Sequence, residues 1–509
     1  MGSGPSIPIS QCLLSAVGGK KSLVSFPKET TQVPLFNLNL PVIPSAVISP
    51  ESAEQVAAIV KCAADSGYKV QPKSGGHSYA NHGTVYHFRV LPKTDLGSSG
   101  FGGSDGAVVV DMRNFQKFST DSSTYSATIG SGTLLGDVAA RLHKEGRAMA
   151  HGTCPQVGIG GHATTGGIGP ASRLWGLALD HITEVEVVLA NSSIVKASQI
   201  DYPDVFFALK GAGPSFGIIT EFTVRTQPEP RDLVQYQYMF NCSEPTSRAE
   251  ILKKWQTLVS DPAIPREFHS MLDVFPHKIV VSGTYFGSKR GLDALKLNDL
   301  FSESQDSSVT ITKDWIGLVD SWSDHVRRNF GGGTPRSFYA KSLDFATEKL
   351  IPSHVIDQLF EFLANAYKGP RMVFVSFHLG GGAINDVFAN ATAYPHRCAL
   401  FWMQFAAAER GPVSAATKNV VDGINSIVTH GMAGVRFGAY SGHIDPELPN
   451  ALEAYWGVNL PRLRHIKRSI DPRDLFHNPQ SISATPGASW DLLSTIFGKD
   501  LSTDSKQEL

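Results

Sequence analysis

Three segments set reactive side chains among glycines: Ser74-Gly75-Gly76-His77-Ser78, His151-Gly152-Thr153-Cys154-Pro155-Gln156-Val157-Gly158, and Gly160-Gly161-His162-Ala163-Thr164-Thr165-Gly166-Gly167-Ile168-Gly169. Glycine lets the backbone approach a ligand closely, and successive free N–H groups can hold a pyrophosphate without any lysine. The chemistry this favours is the cradling of a large anionic cofactor. Taken singly, His77 reads as a hydrogen-bonded loop histidine and Cys154 as a buried inert thiol. Their shared context is what singles them out.

The bulk composition narrows the partners. The chain has 509 residues with 42% hydrophobic content, enough for two or three cores. Lys+Arg number 45 against Asp+Glu 46, a formal charge of -1, so neither nucleic acid nor an anionic membrane is indicated. A small neutral molecule is the expected partner. No apolar run is long enough to span a bilayer, and Met1 to Ser10 lacks the apolar core of a leader peptide. The five cysteines, Cys12, Cys62, Cys154, Cys242 and Cys398, form no CxxC pair, so no metal site is expected. Sequons at Asn191, Asn241 and Asn390 suit a secreted protein.

The reactive segments need elements to hold them. Ser49-Pro50 reads as a helix N-cap and first helical residue, with Val56, Ile59, Val60 and Ala63 following at helical spacing. A strand over 68–71 then runs into the first glycine segment. Residues 107–112 read as a strand and 133–145 as a helix with Leu134, Leu135, Val138, Ala139 and Leu142 on one face. The glycine density from His162 to Pro170 predicts no regular element there. A hairpin over 182–197 turns at Asn191-Ser192, and 218–224 is a further strand. After Pro228-Glu229-Pro230 aromatic-rich strands, 234–240 and 279–285, alternate with helices such as 353–366, which marks a domain boundary. Residues 451–482 read as a helix broken at Asp471-Pro472, followed by a polar tail.

With these motifs and Tyr455-Trp456-Gly457-Val458-Asn459 near the C-terminus, the chain resembles the vanillyl-alcohol-oxidase (PCMH-type FAD) superfamily. Within it, the likeness is to the berberine-bridge-enzyme-like oligosaccharide oxidases of fungi. The resemblance implies an α+β fold: a PCMH-type FAD-binding module of two subdomains, and a substrate domain whose antiparallel sheet is covered by helices. The divisions expected are 1–39 and 40–228 for the FAD module, 229–440 for the substrate domain, 441–485 for a berberine-bridge-like segment returning to the module, and 486–509 for the tail. It further implies FAD bound covalently twice, with the flavin 8α-methyl on His77 and C6 on Cys154. Two tethers prevent cofactor loss and should raise the reduction potential by withdrawing electrons.

The residues expected to line this cofactor are Lys73, Ser74, Gly75, Gly76, Ser78, Gly152, Thr153, Val157, Gly158, Gly161, His162, Gly166, Gly167, Gly169, Ile219, Asn459 and Asn478. The small Val157 implies access for dioxygen. Tyr455 is implied as the general base, with Trp456 as its competitor for the flavin-facing position. Gln404 is implied to point at a sugar from a central strand, and strand alternation puts Trp402 on the same face and Met403 and Phe405 on the other. Tyr79 is implied at the substrate entrance, and Cys12 with Cys62 as a disulfide. The reaction implied is oxidation of the C1 hydroxyl of a reducing oligosaccharide, or another alcohol, with O2 as acceptor, by a monomer.

Two departures stand out. His378, in Phe377-His378-Leu379-Gly380-Gly381, takes a place where the family has an acidic assistant, so a histidine serves there as base or as cation. Residues 84–100, 17 in number, form an insert that is either a lid or translated intron. Other readings are an NAD(P)-dependent dehydrogenase, from the loose Gly158-x-Gly160-x-x-Ala163 fingerprint, a berberine-bridge-type oxidase or cyclase, a sugar dehydrogenase using another acceptor, and a non-catalytic flavin-carrying or carbohydrate-binding relative.

Overall fold

The computed structural model describes residues 8–27, 35–82, 106–312, 314–330, 334–366 and 372–484. The expected insert at 84–100 and the tail from 486 lie outside them. Three sheets of four or more strands organise the described residues. The first orders Val24–Ser25, Ala46–Ile48, Val108–Asp111 and Val70–Lys73, the last three mutually parallel. Its Val- and Ile-rich strands pack under the helix Ala53–Asp65, whose Val56, Ile59, Val60 and Ala63 are buried as their spacing predicts. The cap differs from expectation. Ser52, not Ser49, accepts the Gln55 N–H, so the helix begins at Ala53. The strand after it is Val70–Lys73 rather than 68–71. Cys12 and Cys62 form the disulfide that ties the helix Ile9–Ala16 to this one.

The second sheet is antiparallel, in the order Phe118–Asp121, Ser126–Gly130, Ile218–Arg225, Ile182–Val188, Ile194–Ser198. The helix Leu135–His143 packs Leu135, Val138 and Leu142 into its core, a shorter helix than 133–145. The glycine-rich stretch corrects the expectation outright, because Ile159–Thr165 is helical. Glycine's helix penalty is about 1 kcal/mol per residue, and burial of Ile159 and Ala163 against the core overrides it. The helix stops at Gly166, whose φ of +140° few other residues adopt.

The third sheet has seven antiparallel strands: Asp306–Thr312, Leu233–Phe240, Ile279–Tyr285, Phe268–Val274, Met372–Leu379, Ala399–Glu409 and Ser337–Ala346. Strand alternation divides its faces. Tyr236, Leu272, Val281, Phe377, Met403 and Phe405 pack under the helices Pro245–Val259, Ser353–Ala366 and Ala415–Gly431. The opposite face carries Gln235, Met271, Ser282, His378, Trp402 and Gln404 towards the first two sheets. The helix Trp315–Phe330 closes one side of that gap.

The C-terminal helix is two helices, Ala451–Trp456 and Leu460–Ile470, parted by a turn at Gly457 with φ +42°. Beyond Ile470 the chain is irregular and returns to the first sheet, where Val70 bridges Phe476. The fully buried Lys467 anchors this return through Asp471 and the carbonyls of Ser215 and Phe476. No described helix is long and apolar enough to cross a membrane.

Candidate active site

Glycine-to-glycine contact builds the site's floor. A Cβ on Gly75 would lie 2.1 Å from the nitrogen of Gly158, so only glycines allow the first two reactive segments to meet. Ser74 Oγ donates to the Ser131 carbonyl at 2.6 Å and accepts the Gly160 N–H at 3.3 Å, joining the third segment to the first. His162 Nε2 accepts the Gly152 N–H at 2.9 Å, and burial lowers this imidazole to about 3, so it stays neutral. Together these contacts bring His77 and Cys154 to one cavity of about 710 Å3. Ser74, Gly75, Gly76, Ser78, Gly152, Thr153, Val157, Gly158, Gly161, His162, Gly169, Ile219 and Asn478 also line it, as expected.

The His77 ring lies 4.6 Å from that of Phe36, and burial lowers it to about 4, leaving a neutral imidazole. Cys154 Sγ approaches Gln156 Oε1 at 3.2 Å, and burial raises its thiol. Across the cavity Gln404 Nε2 donates to Tyr79 Oη at 2.9 Å. Burial raises the Tyr79 phenol to about 12, so it remains a donor at neutral pH. Tyr79 stacks on His443 at 5.2 Å, and His378 and Trp402 complete that wall. His378 Nε2 lies 3.0 Å from Ser376 Oγ.

Some expected residues stand elsewhere. Tyr455 does not line the cavity. Its phenol is buried and accepts the Asp445 N–H at 2.9 Å, because the short helix carrying it packs into the core behind the wall. Trp456 likewise donates to the Gly211 carbonyl at 3.1 Å. Asn459 spends its amide on the carbonyls of Ala389, Thr392 and Ala393. Lys73 points away into a buried ion pair with Asp111 at 2.6 Å. Gly166 and Gly167 shape the turn after the glycine helix, where Gly167 N–H donates to Tyr440 Oη at 3.1 Å, and neither lines the cavity. His443, His269 and Tyr440 line the cavity and were not foreseen. His269 could have been found from its strand, Phe268–Val274, by alternation, whereas His443 sits in a short turn that carries no periodic signal.

The cradle fits an FAD. A Cβ added at Gly161 would meet nothing within 4 Å, so its backbone faces open space. Ser131 Oγ, His82 Nδ1 and Trp402 Nε1 are buried polar atoms of the cavity wall with no partner among the described residues. A ligand rich in donors and acceptors would satisfy them. No cluster of metal-ligating residues occurs among the described residues. The Rossmann reading fails on topology, since the second sheet next to Gly158 is wholly antiparallel.

Comparison with known proteins agrees. The FAD binding domain family model matches residues 44–91 and 88–198, and the model described as berberine and berberine like matches 439–483. An FAD-linked oxidoreductase, sorD, of Penicillium rubens is 39% identical over 479 residues, covering 92% of this chain and 97% of that protein. A xylooligosaccharide oxidase of Thermothelomyces thermophilus is 32% identical, covering 93% and 94%. A glucooligosaccharide oxidase structure from Acremonium strictum, described as carrying a 6-S-cysteinyl, 8α-N1-histidyl FAD, superposes with a TM-score of 0.81 at 28% identity, covering 94% of this chain and all of that one.

The fold and the site define an enzyme of the FAD-linked oxidoreductases. The chain belongs to the berberine-bridge-like family of these flavoproteins, alongside the fungal carbohydrate oxidases.

Proposed function

We propose that this chain is an oxidase that tethers FAD through His77 and Cys154 and oxidises the C1 hydroxyl of a reducing oligosaccharide to a lactone. The carrying observation is that one cavity presents a neutral His77 and Cys154 on its glycine floor and faces them with Tyr79, Gln404 and His378. When bound there, FAD supplies the acceptor for the hydride from C1 and passes two electrons to dioxygen, giving hydrogen peroxide. His378 replaces Tyr455 as the base: it lines the cavity, and burial holds it below the ordinary histidine range, so it is neutral and ready for a proton. Tyr79 and Gln404 orient the substrate hydroxyls, and the apolar ring of Tyr79 suits a sugar's C–H face. Val157 keeps a small side chain beside the floor, consistent with dioxygen access. Exposed sequons at Asn191, Asn241 and Asn390 support a glycosylated, secreted protein.

One feature favours a second substrate class. Among the described residues no carboxylate lines the cavity, while Phe36, Met271, Phe338 and Phe374 do, which also suits a less polar alcohol of secondary metabolism.

The test is acid precipitation of the purified protein with an intact mass. Yellow pellet and the mass of one FAD are expected. In His77→Ala and Cys154→Ala the single remaining tether should still hold flavin while turnover falls by about tenfold or more through a lowered potential. Flavin that washes into the supernatant from the wild type would remove the tethers. A panel of oligosaccharides and apolar alcohols assayed for peroxide then separates the two substrate classes.

A further inference from the structure

We infer that Asp273 and Ser376 fix the tautomer of His378, so that Nδ1 is the atom that takes the substrate's hydroxyl proton, with His325 closing the far end of the chain. The inference rests on the proposed role of His378 as base. Register on the sheet puts the parts together. Ser376 and His378 lie two apart on Met372–Leu379 and share its cavity face, and Asp273 is the cross-strand partner of Ser376. Ser376 Oγ makes a short contact with Asp273 Oδ1 and lies 3.0 Å from His378 Nε2. Asp273 Oδ2 lies 3.1 Å from His325 Nε2, which comes from the helix Trp315–Phe330.

Donor and acceptor counting then leaves one arrangement. A carboxylate only accepts, so the Ser376 hydroxyl donates to Asp273. The one hydroxyl proton being used, Ser376 Oγ can only accept from His378, and Nε2 carries the proton. In the neutral ring Nδ1 is therefore the lone-pair nitrogen, and it has no hydrogen-bond partner among the described residues. Asp273 is 1% exposed and Ser376 2%, and among the described residues the polar partners of Asp273 are Ser376 and His325, with no arginine or lysine to explain this buried carboxylate.

The step balances simply. The substrate oxygen would give its proton to His378 Nδ1 while a bound FAD would supply the acceptor for the C1 hydride, and the imidazolium would keep donating through Nε2 to Ser376, with Asp273's charge behind it. The groups that face His378 are His269 and Asp273 from Phe268–Val274, His325 from its helix and His443 from the turn Ser441–His443. Burial keeps His269 and His443 neutral at about 3, so Asp273 is the charge that favours a protonated His378. Asp273, Ser376 and His325 are positioning residues.

The experiment combines Asp273→Asn, Ser376→Ala, Ser376→Thr and His378→Gln, each checked for bound flavin and melting temperature. An asparagine amide at 273 can donate to Ser376, reversing the chain and moving the proton to Nδ1. Asp273→Asn should then lower kcat by about 10^2- to 10^4-fold with flavin content unchanged, and shift the acid limb of kcat/KM to lower pH, since the charge that raises His378's basicity is gone. Nitrogen-15 NMR of labelled histidine should show His378 protonated on Nε2 in the wild type and on Nδ1 in Asp273→Asn. Ser376→Ala should lose the fixed tautomer and Ser376→Thr should restore it, and that pair decides the matter if Asp273→Asn does not fold. A wild-type Nδ1–H tautomer, or an unchanged tautomer and acid limb in both Asp273→Asn and Ser376→Ala, would overturn the inference while leaving His378 as base. Wild-type turnover in His378→Gln would instead bring down the base assignment, and the inference with it.

Discussion

At the scale of single residues, the reactive motifs were legible because their chemistry is local. His77 and Cys154 sit in segments whose glycines are unusual in any other role, and the cavity receives both. Tyr455, implied as the base, stands outside the cavity wall for the opposite reason. A tyrosine near an asparagine five residues before a buried helix says nothing about which side of the core its ring enters, and that is settled by tertiary packing. The structure makes the difference measurable. Tyr455→Phe removes the acceptor of the Asp445 N–H and should cost about 1–3 kcal/mol of stability. It should leave kcat within about twofold of the wild type, because burial raises this phenol away from use as a base and it does not line the cavity. Steady-state kinetics with a thermal melt checks this, and a kcat loss of a hundredfold at unchanged stability would return Tyr455 to the reaction.

Among the elements, those with strong periodicity were foreseen closely. Strand 279–285 and helix 353–366 coincide with Ile279–Tyr285 and Ser353–Ala366, since burial on one face writes itself into the sequence. The change from the second sheet to the third between Arg225 and Leu233 supports the proposed boundary at Pro228-Glu229-Pro230. The glycine helix Ile159–Thr165 was not legible, because its glycines weaken the local signal and what holds it is contact with Ser74, Ser131 and the core. Its two adjacent glycines should respond differently to the same change. At Gly160 a Cβ would lie 2.8 Å from the Ser131 carbonyl, so Gly160→Ala should lower stability by about 1–3 kcal/mol as backbone shifts. At Gly161 the Cβ meets no protein atom, and alanine's better helix propensity should leave the fold as stable or up to about 1 kcal/mol more so. That methyl intrudes on the cofactor cradle, however, so Gly161→Ala should fall in flavin content. Melting temperature and flavin absorbance per protein separate the two, and equal loading by both variants would mean that Gly161 does not face the cofactor.

For the whole molecule, the site sits in the seam between three sheets, and the seam is lined with histidines buried in neutral form. His82 and His181 are lowered to about 4, and His162, His269 and His443 to about 3, in each case first by burial. The unfolded chain would hold each near 6.5. Above 6.5 neither state binds these protons, and the folded state keeps its full stability. As pH falls below 6.5 the unfolded chain takes up protons that the folded chain refuses, so stability is lost progressively down to about 4 for His82 and His181 and about 3 for His162, His269 and His443, at up to about 1.4 kcal/mol per pH unit for each. Asp111 and Asp344, held below the ordinary carboxylate range by their partners, stay ionised between pH 6.5 and 5 and contribute no such slope. The melting temperature should therefore decline steadily from pH 6.5 to 5, with a proton uptake on unfolding of several per molecule. A His181→Gln variant should flatten the slope by close to one proton, since His181 lies at the seam, bonded to the Ala150 N–H and the Arg225 carbonyl, and outside the cavity wall. A melting temperature that stays level over this range would show that these imidazoles protonate within the fold, and would require a seam far wetter than its packing describes.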